Sequence, residues 1–280
     1  TPPCTESLLW AGVERVVIGA LDPNPTVRGD GAVALHEGGV EVESGLLESE
    51  CEEQMRPFMH WCREMRPMVI LKASTDSKGR IDGDPSKPAS RFSSKESLEL
   101  AQGIRGDSMA ILVGVGTIIR DDPSLTVRGP EITPREQPIR VVIDPRNRVP
   151  ADCRVMTDGE APTLLVQSSE FEAADDHTHV ERVVIPEDDI PIQRILDMLG
   201  DRGVQSLLVE GGLDTWSRFL GSGLVDIVRT SVSPIELPYE DAKCFDLASL
   251  EKLGFEPVSR NLCGGDEVTI WETGKDPAKN

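Results

Sequence analysis

The stretch from Met109 to Arg128 constrains this chain more than any other. It opens on a near-continuous apolar run, Met109 to Val113, which fits a strand buried on both faces in a parallel sheet covered by helices. The character then changes at once. Gly114 and Gly116 let backbone approach another group closely, Thr117 follows, and the acidic pair Asp121–Asp122 precedes Pro123, with Leu125 and Arg128 behind it. Small residues, acids and an arginine at the carboxyl end of a buried strand are what an α/β sheet presents to a ligand. A buried strand with an acidic turn after it accounts for the same residues without any ligand, so this stretch alone leaves both readings open.

The rest of the chain narrows the choice. At 280 residues it holds one large or two modest domains, and a hydrophobic content of 38% suffices for a core. The formal net charge of −20, from 49 acids and 29 bases, argues against nucleic acid or an anionic membrane as partner. A phosphorylated small molecule stays feasible, because salt screens charges beyond roughly 8 Å and local cations then decide. The six cysteines form no CxxC pair, no apolar run is long enough to span a bilayer and no secretory signal is read, so the expected setting is cytoplasmic.

Two domains are expected, 1–65 and 66–275, with Arg66-Pro67 as the boundary. The first has αβαβα texture: a short helix ending near Gly12, a strand over Val13 to Ala20, a helix over 30–38, a strand over Val40 to Val42 and a helix over Ser49 to Arg63. The second opens on a strand, Met68 to Lys72, followed by a loop over 74–93. A helix over Ser94 to Ile104 then spaces Leu98, Ala101 and Ile104 along one face. Beyond the organising strand, further strands are expected over Ile139 to Asp144, Thr163 to Val166, Val180 to Ile185, Val204 to Val209, Leu224 to Val232 and Val268 to Trp271. A helix over Pro191 to Gly200 and another through Phe219 complete an α/β domain. His177 and His179 lie in an acidic connector and read as solvated rather than as a metal pair.

A second informative stretch runs from Leu207 to Leu220, L-L-V-E-G-G-L-D-T-W-S-R-F-L. A buried strand enters two glycines and a helix starts directly, leaving amides that suit a phosphate. Glu210, at the strand end, is placed to hydrogen-bond a hydroxyl or an amine. The dinucleotide fingerprint GxGxxG is absent, since Gly114-x-Gly116 has no third glycine in register.

Taken together, V-G-x-G-T-x-x-x-D-D-P-x-L-T-x-R and V-E-G-G with the later G-L-V-D resemble the reductase domain of the bifunctional riboflavin-biosynthesis deaminase/reductase family, over about residues 67–272. The segment R-P-M-V-I-L-K fits as well. The resemblance implies a dihydrofolate-reductase-like fold, NADPH as cofactor, a homodimer, and reduction of 5-amino-6-(5-phosphoribosylamino)uracil at C1′ to the ribitylamino product. T-P-P-C followed by E-S-L-L-W-A-G-V-E-R-V-V-I-G-A is similar to the later part of that family's cytidine-deaminase-like zinc domain. Cys4 matches the last zinc ligand only, so the resemblance implies a truncated deaminase segment, with zinc bound only where a longer chain supplies the other ligands.

Carried over residue by residue, the resemblance implies substrate contacts at Ser90, Arg105, Leu125, Arg128 and Glu210, the two arginines suiting a 5′-phosphate. It implies cofactor contacts at Ser74, Phe92, Thr117 and Asp121, and at Gly212, Leu213, Asp214, Thr215, Trp216, Ser217 and Arg218 around the pyrophosphate. Lys72 is the candidate catalytic group. The chain departs from the family pattern at three places. Asp76 to Arg80 replaces S/T-L-D-G-K/R, with Lys78 at the Asp position; Phe92 stands for Trp; and the Gly after S-P-I-x-L is missing near Leu237-Pro238. Three readings follow: this reductase, a reductase of the same fold acting on another pterin-like or heterocyclic substrate, and a catalytically silent assembly subunit.

Overall fold

The computed structural model describes residues 4–24, 30–84, 92–129, 136–171 and 177–274. The chain divides into two compact units, Thr1–Pro67 and Met68–Asn280.

The first unit runs α1 (Cys4–Trp10), β1 (Arg15–Ile18), α2 (Asp30–Glu37), β2 (Glu41–Ser44), α3 (Glu48–Gln54) and α4 (Arg56–Glu64). β1 and β2 pair in parallel with Arg15 opposite Glu41. The single helix expected over 49–63 is two helices broken at Met55. Pro57, in the first turn of α4, explains the break: its ring has no N–H and collides with the carbonyl four residues back. The buried apolar set here is small, Leu35, Val40, Met59 and Cys62, while Trp10 is 95% exposed.

The second unit contains β3 (Met68–Thr75), α5 (Lys95–Gly106), β4 (Ala110–Gly114), α6 (Val115–Asp121), β5 (Ile139–Ile143), α7 (Arg154–Thr157), β6 (Thr163–Gln167) and β7 (Val180–Val184). It continues with α8 (Ile192–Asp201), β8 (Ser206–Val209), α9 (Leu213–Ser222), β9 (Ile227–Val232), α10 (Ala248–Lys252), β10 (Phe255–Cys263) and β11 (Asp266–Thr273). The nine strands form one sheet in the order β10-β11-β9-β3-β8-β4-β5-β6-β7, parallel from β9 to β7 and antiparallel at β11 and β10.

Apolar side chains alternate between the two faces along the central strands. Val69, Leu71, Ala110 and Leu112 join a core with Leu196 and Leu199 of α8 and Phe219 of α9. Ile70, Ile111 and Val113 join a second core with Ile104 of α5, Ile118 of α6 and Val155 of α7. With both faces covered, these strands are continuous apolar runs, which is why they were visible in the sequence.

Three local differences matter. β3 extends to Thr75, where a loop was expected, because its pairing with β9 continues to Thr75 opposite Val232. In α5, Ser94 caps the helix by accepting from the Ser97 amide, and Ser97 rather than Leu98 is buried; Leu98 is 43% exposed. β10 was not expected from the sequence. It is an edge strand with mostly exposed side chains, an interior Pro257 and a register shift there, so it lacks both apolar alternation and regularity.

Candidate active site

The carboxyl ends of β3, β8, β4 and β5 lie side by side and open into one cavity of about 1040 Å³. That volume is at the upper end for small-molecule sites. Every residue lining it belongs to the second unit.

Lys72, near the end of β3, donates to the Ser74 hydroxyl at 3.1 Å. One strand over, Glu210 follows β8, and its amide donates to Leu112 O at 2.9 Å, which fixes its backbone against β4. The Glu210 carboxylate accepts two hydrogen bonds from Arg105 of α5, from Nη2 at 2.6 Å and Nε at 3.3 Å. Arg105 Nη1 donates in addition to Thr126 O at 3.2 Å. Both side chains of this pair are largely buried. Burial pushes the Glu210 carboxyl up, but the charges of Arg105 and Lys72 and the Arg105 hydrogen bond outweigh it, so the group sits below the ordinary carboxylate range. Burial pushes the Lys72 ammonium down; Glu210 opposes this and Arg105 reinforces it, and the net displacement is downward. A lysine that gives up its proton more readily than usual, held near a permanent carboxylate, is suited to proton transfer.

The glycines divide into two kinds. Gly114 and Gly211 serve close packing: a Cβ at Gly114 would stand 2.9 Å from Thr215 Oγ1, and one at Gly211, whose φ is +116°, would stand 3.0 Å from Thr117 Oγ1. All four line the cavity, but a Cβ at Gly116 or Gly212 would meet nothing within 4 Å. α9 starts on Gly212 with no side chain capping it, so its first amides are left to whatever enters. The cavity wall also carries Asp121 and Arg120; Arg120 pairs with Asp82 at 2.6 Å. Burial pushes the Asp121 carboxyl up, against Arg120 and with Asp82, to a net raised position.

Most residues singled out in the sequence meet here. Lys72, Ser74, Phe92, Arg105, Thr117, Asp121, Leu125 and Glu210 line the cavity, as do Gly212 to Trp216 and Arg218. Leu125 adopts a φ of +51° and is buried. Arg218 is tied by Nη2 to Ile190 O at 2.6 Å and Asp189 at 3.0 Å. Two expected residues do not line it. Ser217 is on the exposed side of α9, and Arg128 is exposed in an adjoining recess with Lys95, Gln102 and Arg105. Arg105, expected to hold a phosphate, has its fork engaged by Glu210. Ser90 lies outside the described residues. Cys4 is exposed in the first unit, and among the described residues no group of three His, Cys, Asp or Glu side chains is arranged to hold a metal, so the residues present do not fit zinc.

The sequence reading missed Arg146 and Arg148, which follow β5, and Tyr239 and Lys243, which follow β9. The first two were within reach, since β5 was expected and ligands gather at strand carboxyl ends. The second two sit in an irregular segment with no periodicity to mark it.

Residues 67–259 match the family model described as the RibD C-terminal domain. The riboflavin biosynthesis protein RibD of Aquifex aeolicus is 34% identical over 234 residues, covering 84% of this chain and 65% of that protein. The Escherichia coli protein of the same name is 33% identical over 270 residues, covering 92% of this chain and 72% of the relative. A 2,5-diamino-6-ribosylamino-4(3H)-pyrimidinone 5′-phosphate reductase from Archaeoglobus fulgidus is 34% identical over 208 residues, covering 70% of this chain and 94% of that enzyme. Among solved structures, a deaminase/5-amino-6-(5-phosphoribosylamino)uracil reductase from Thermotoga maritima superposes with a TM-score of 0.81 at 29% identity, over 98% of this chain and 75% of that one. The chain thus spans just under two thirds of the Aquifex relative.

Proposed function

This chain belongs to the RibD C-terminal domain family, and on that premise we propose that it reduces 5-amino-6-(5-phosphoribosylamino)uracil to 5-amino-6-(5-phosphoribitylamino)uracil with NADPH, as a step of riboflavin biosynthesis. One observation carries the reading: a charged cluster of Lys72, Glu210 and Arg105 and an uncapped glycine start of α9 open into the same cavity. The residues present fit NADPH: at Gly116 and Gly212, both on the cavity wall, a Cβ would meet nothing within 4 Å, which leaves the space beside the uncapped start of α9 open for a dinucleotide.

The cofactor, when bound, supplies the hydride that C1′ receives. The chain's own residues do the rest. An N-glycosylamine opens to an electrophilic iminium when its ring oxygen gains a proton and the C1′–O bond breaks, the nitrogen keeping its own proton so that hydride addition gives the amine, and the reading assigns that proton donation to Lys72. Glu210 is held by two hydrogen bonds from Arg105 and orients the polar edge of the pyrimidine. Phe92, buried at the cavity wall, packs an aromatic face where the family carries Trp. Of the two arginines assigned to the 5′-phosphate, Arg128, exposed in the recess it shares with Arg105, is the one not engaged by Glu210. The altered turn at 76–80 has no residue on the cavity wall and Lys78 is exposed, so it lends no support to a different heterocyclic substrate.

The first unit fits the later part of the deaminase domain, and the reading assigns it no activity in this chain. The partner is a phosphorylated pyrimidine, not nucleic acid, and the assembly is a homodimer in the cytoplasm. No helix among the described residues is long and apolar enough to cross a membrane.

The test is NADPH oxidation with the deaminated ribosylamino-uracil phosphate, and separately with its 2-amino precursor. Turnover that disappears in Arg128→Ala and in Asp121→Ala supports the reading. Tight NADPH binding without turnover on either substrate redirects it to another heterocycle, and neither binding nor turnover leaves the silent subunit.

A further inference from the structure

Two of the places where this chain departs from its family pattern turn out to touch each other. Asp76 is fully buried, and its carboxylate accepts four hydrogen bonds: Oδ1 from the amides of Lys78 and Arg80 at 2.8 Å, and Oδ2 from Arg80 Nε at 2.7 Å and the Leu237 amide at 2.8 Å. Arg80 pairs also with Glu236 at 3.2 Å. The far end of the same segment is fastened to the same turn. Phe245 N donates to Gly79 O at 2.8 Å, Ile81 N donates to Lys243 O at 3.1 Å, and Arg80 and Cys244 form an antiparallel bridge. Gly79 has a φ of +79°, and a Cβ there would stand 2.9 Å from Phe245 O, so only glycine lets the segment come this close.

The segment from Leu237 to Phe245 is therefore a strap with both ends clasped by the turn at Asp76 to Arg80. Between the clasps it carries Tyr239, Asp241, Ala242 and Lys243 to the cavity wall. Lys243 pairs with Asp214, in the first turn of α9, at 3.0 and 3.2 Å. An anionic ligand approaching the uncapped start of α9 would otherwise meet the Asp214 carboxylate first. Phe245 packs edge-on against Trp216 of the same helix, with ring centroids 5.5 Å apart.

We propose that the turn and the strap are one positioning unit for the dinucleotide: Asp76 and Arg80, which do not line the cavity, hold Tyr239 and Lys243 against the ligand at the start of α9. This rests on NADPH being the ligand, as argued above.

The experiment uses the full chain and compares Asp76→Ala, Tyr239→Ala, Lys243→Met and the double variant Asp76→Ala/Tyr239→Ala. The readouts are NADPH titration by fluorescence and kcat at saturating cofactor. Each single change should raise the Kd for NADPH roughly three- to thirtyfold, the span expected for coupled neighbours, and for Asp76→Ala, whose side chain is off the cavity wall, kcat at saturating cofactor should stay within about twofold. The double variant should bind no more weakly than the worse single, because Asp76 acts through the strap. Wild-type affinity in a folded Asp76→Ala, or additive losses in the double, overturns the proposal and reduces Asp76 to a structural residue. If Asp76→Ala does not fold, the two strap variants decide, and unchanged affinity in both overturns it equally. Absence of NADPH binding by the unmodified chain is a separate result, which removes the proposed function and this unit together.

Discussion

Lys72 and Glu210 follow one another across neighbouring strands, and each alters the other's acidity. In the proposed reaction the proton that opens the substrate ring comes from the charged form of Lys72, so turnover should fall as pH rises through its pKa. Because burial lowers that pKa, the descending limb of kcat should lie below the value of an ordinary lysine, about 10.4. Lys72→Arg, charged at all working pH values, should lose the limb and lower kcat by about 10²- to 10⁴-fold. Glu210→Gln removes the charge that holds Lys72 up, so the limb should move to still lower pH; an unmoved limb would separate the two groups. The same change strands the Arg105 guanidinium and should destabilise the fold by up to about 3 kcal/mol, read from denaturant unfolding. Glu210 itself has a folded pKa below its unfolded one. Its contribution to stability is therefore fully present above about pH 4.3 and is lost as pH falls through the folded value.

Among the elements, the turn after β8 and the start of α6 carry glycines that look equivalent in sequence and differ in duty. Gly211→Ala puts a side chain at a φ of +116° and against Thr117, and should lower stability by about 1–3 kcal/mol. Gly116→Val meets open space within the protein, so its melting temperature should stay within a few degrees while NADPH affinity drops about tenfold or more. Thermal unfolding beside cofactor titration separates the two, and an equal loss of stability in both would contradict the division. This division was not legible beforehand, because a glycine in a sequence states only that a side chain is unwelcome. What was legible follows from burial on two faces. β4, β5, β6 and β8 are apolar runs, and the chemistry-bearing residues Lys72, Glu210 and Thr117 sit at or just beyond strand ends. Edge strand β10 and the strap after β9 were invisible, since the one has exposed side chains and the other has no repeat, and their positions are set by pairing with β11 and by the buried Asp76.

At the scale of the whole molecule the field and the site oppose one another. The chain carries a formal charge of −20, while the ligands of the proposed reaction are phosphorylated anions. Near the cavity Arg146, Arg148 and Lys243 supply local positive charge, but they act over a few ångströms, and an approaching dinucleotide first meets the net field. Raising ionic strength from 0.01 to 0.15 M shortens the screening length from about 30 to about 8 Å, which suppresses the long-range repulsion more than the contacts at the wall. The association rate constant of NADPH, measured by stopped-flow fluorescence, should therefore rise with added salt over this range. The double change Arg146→Ala/Arg148→Ala should lower the rate at every salt concentration and steepen that rise, since it leaves the repulsion without its local counterweight. A rate that falls with salt instead would mean that the cations lining the cavity dominate the field felt by the ligand, and that the acidity of the remaining surface has no part in how this site is reached.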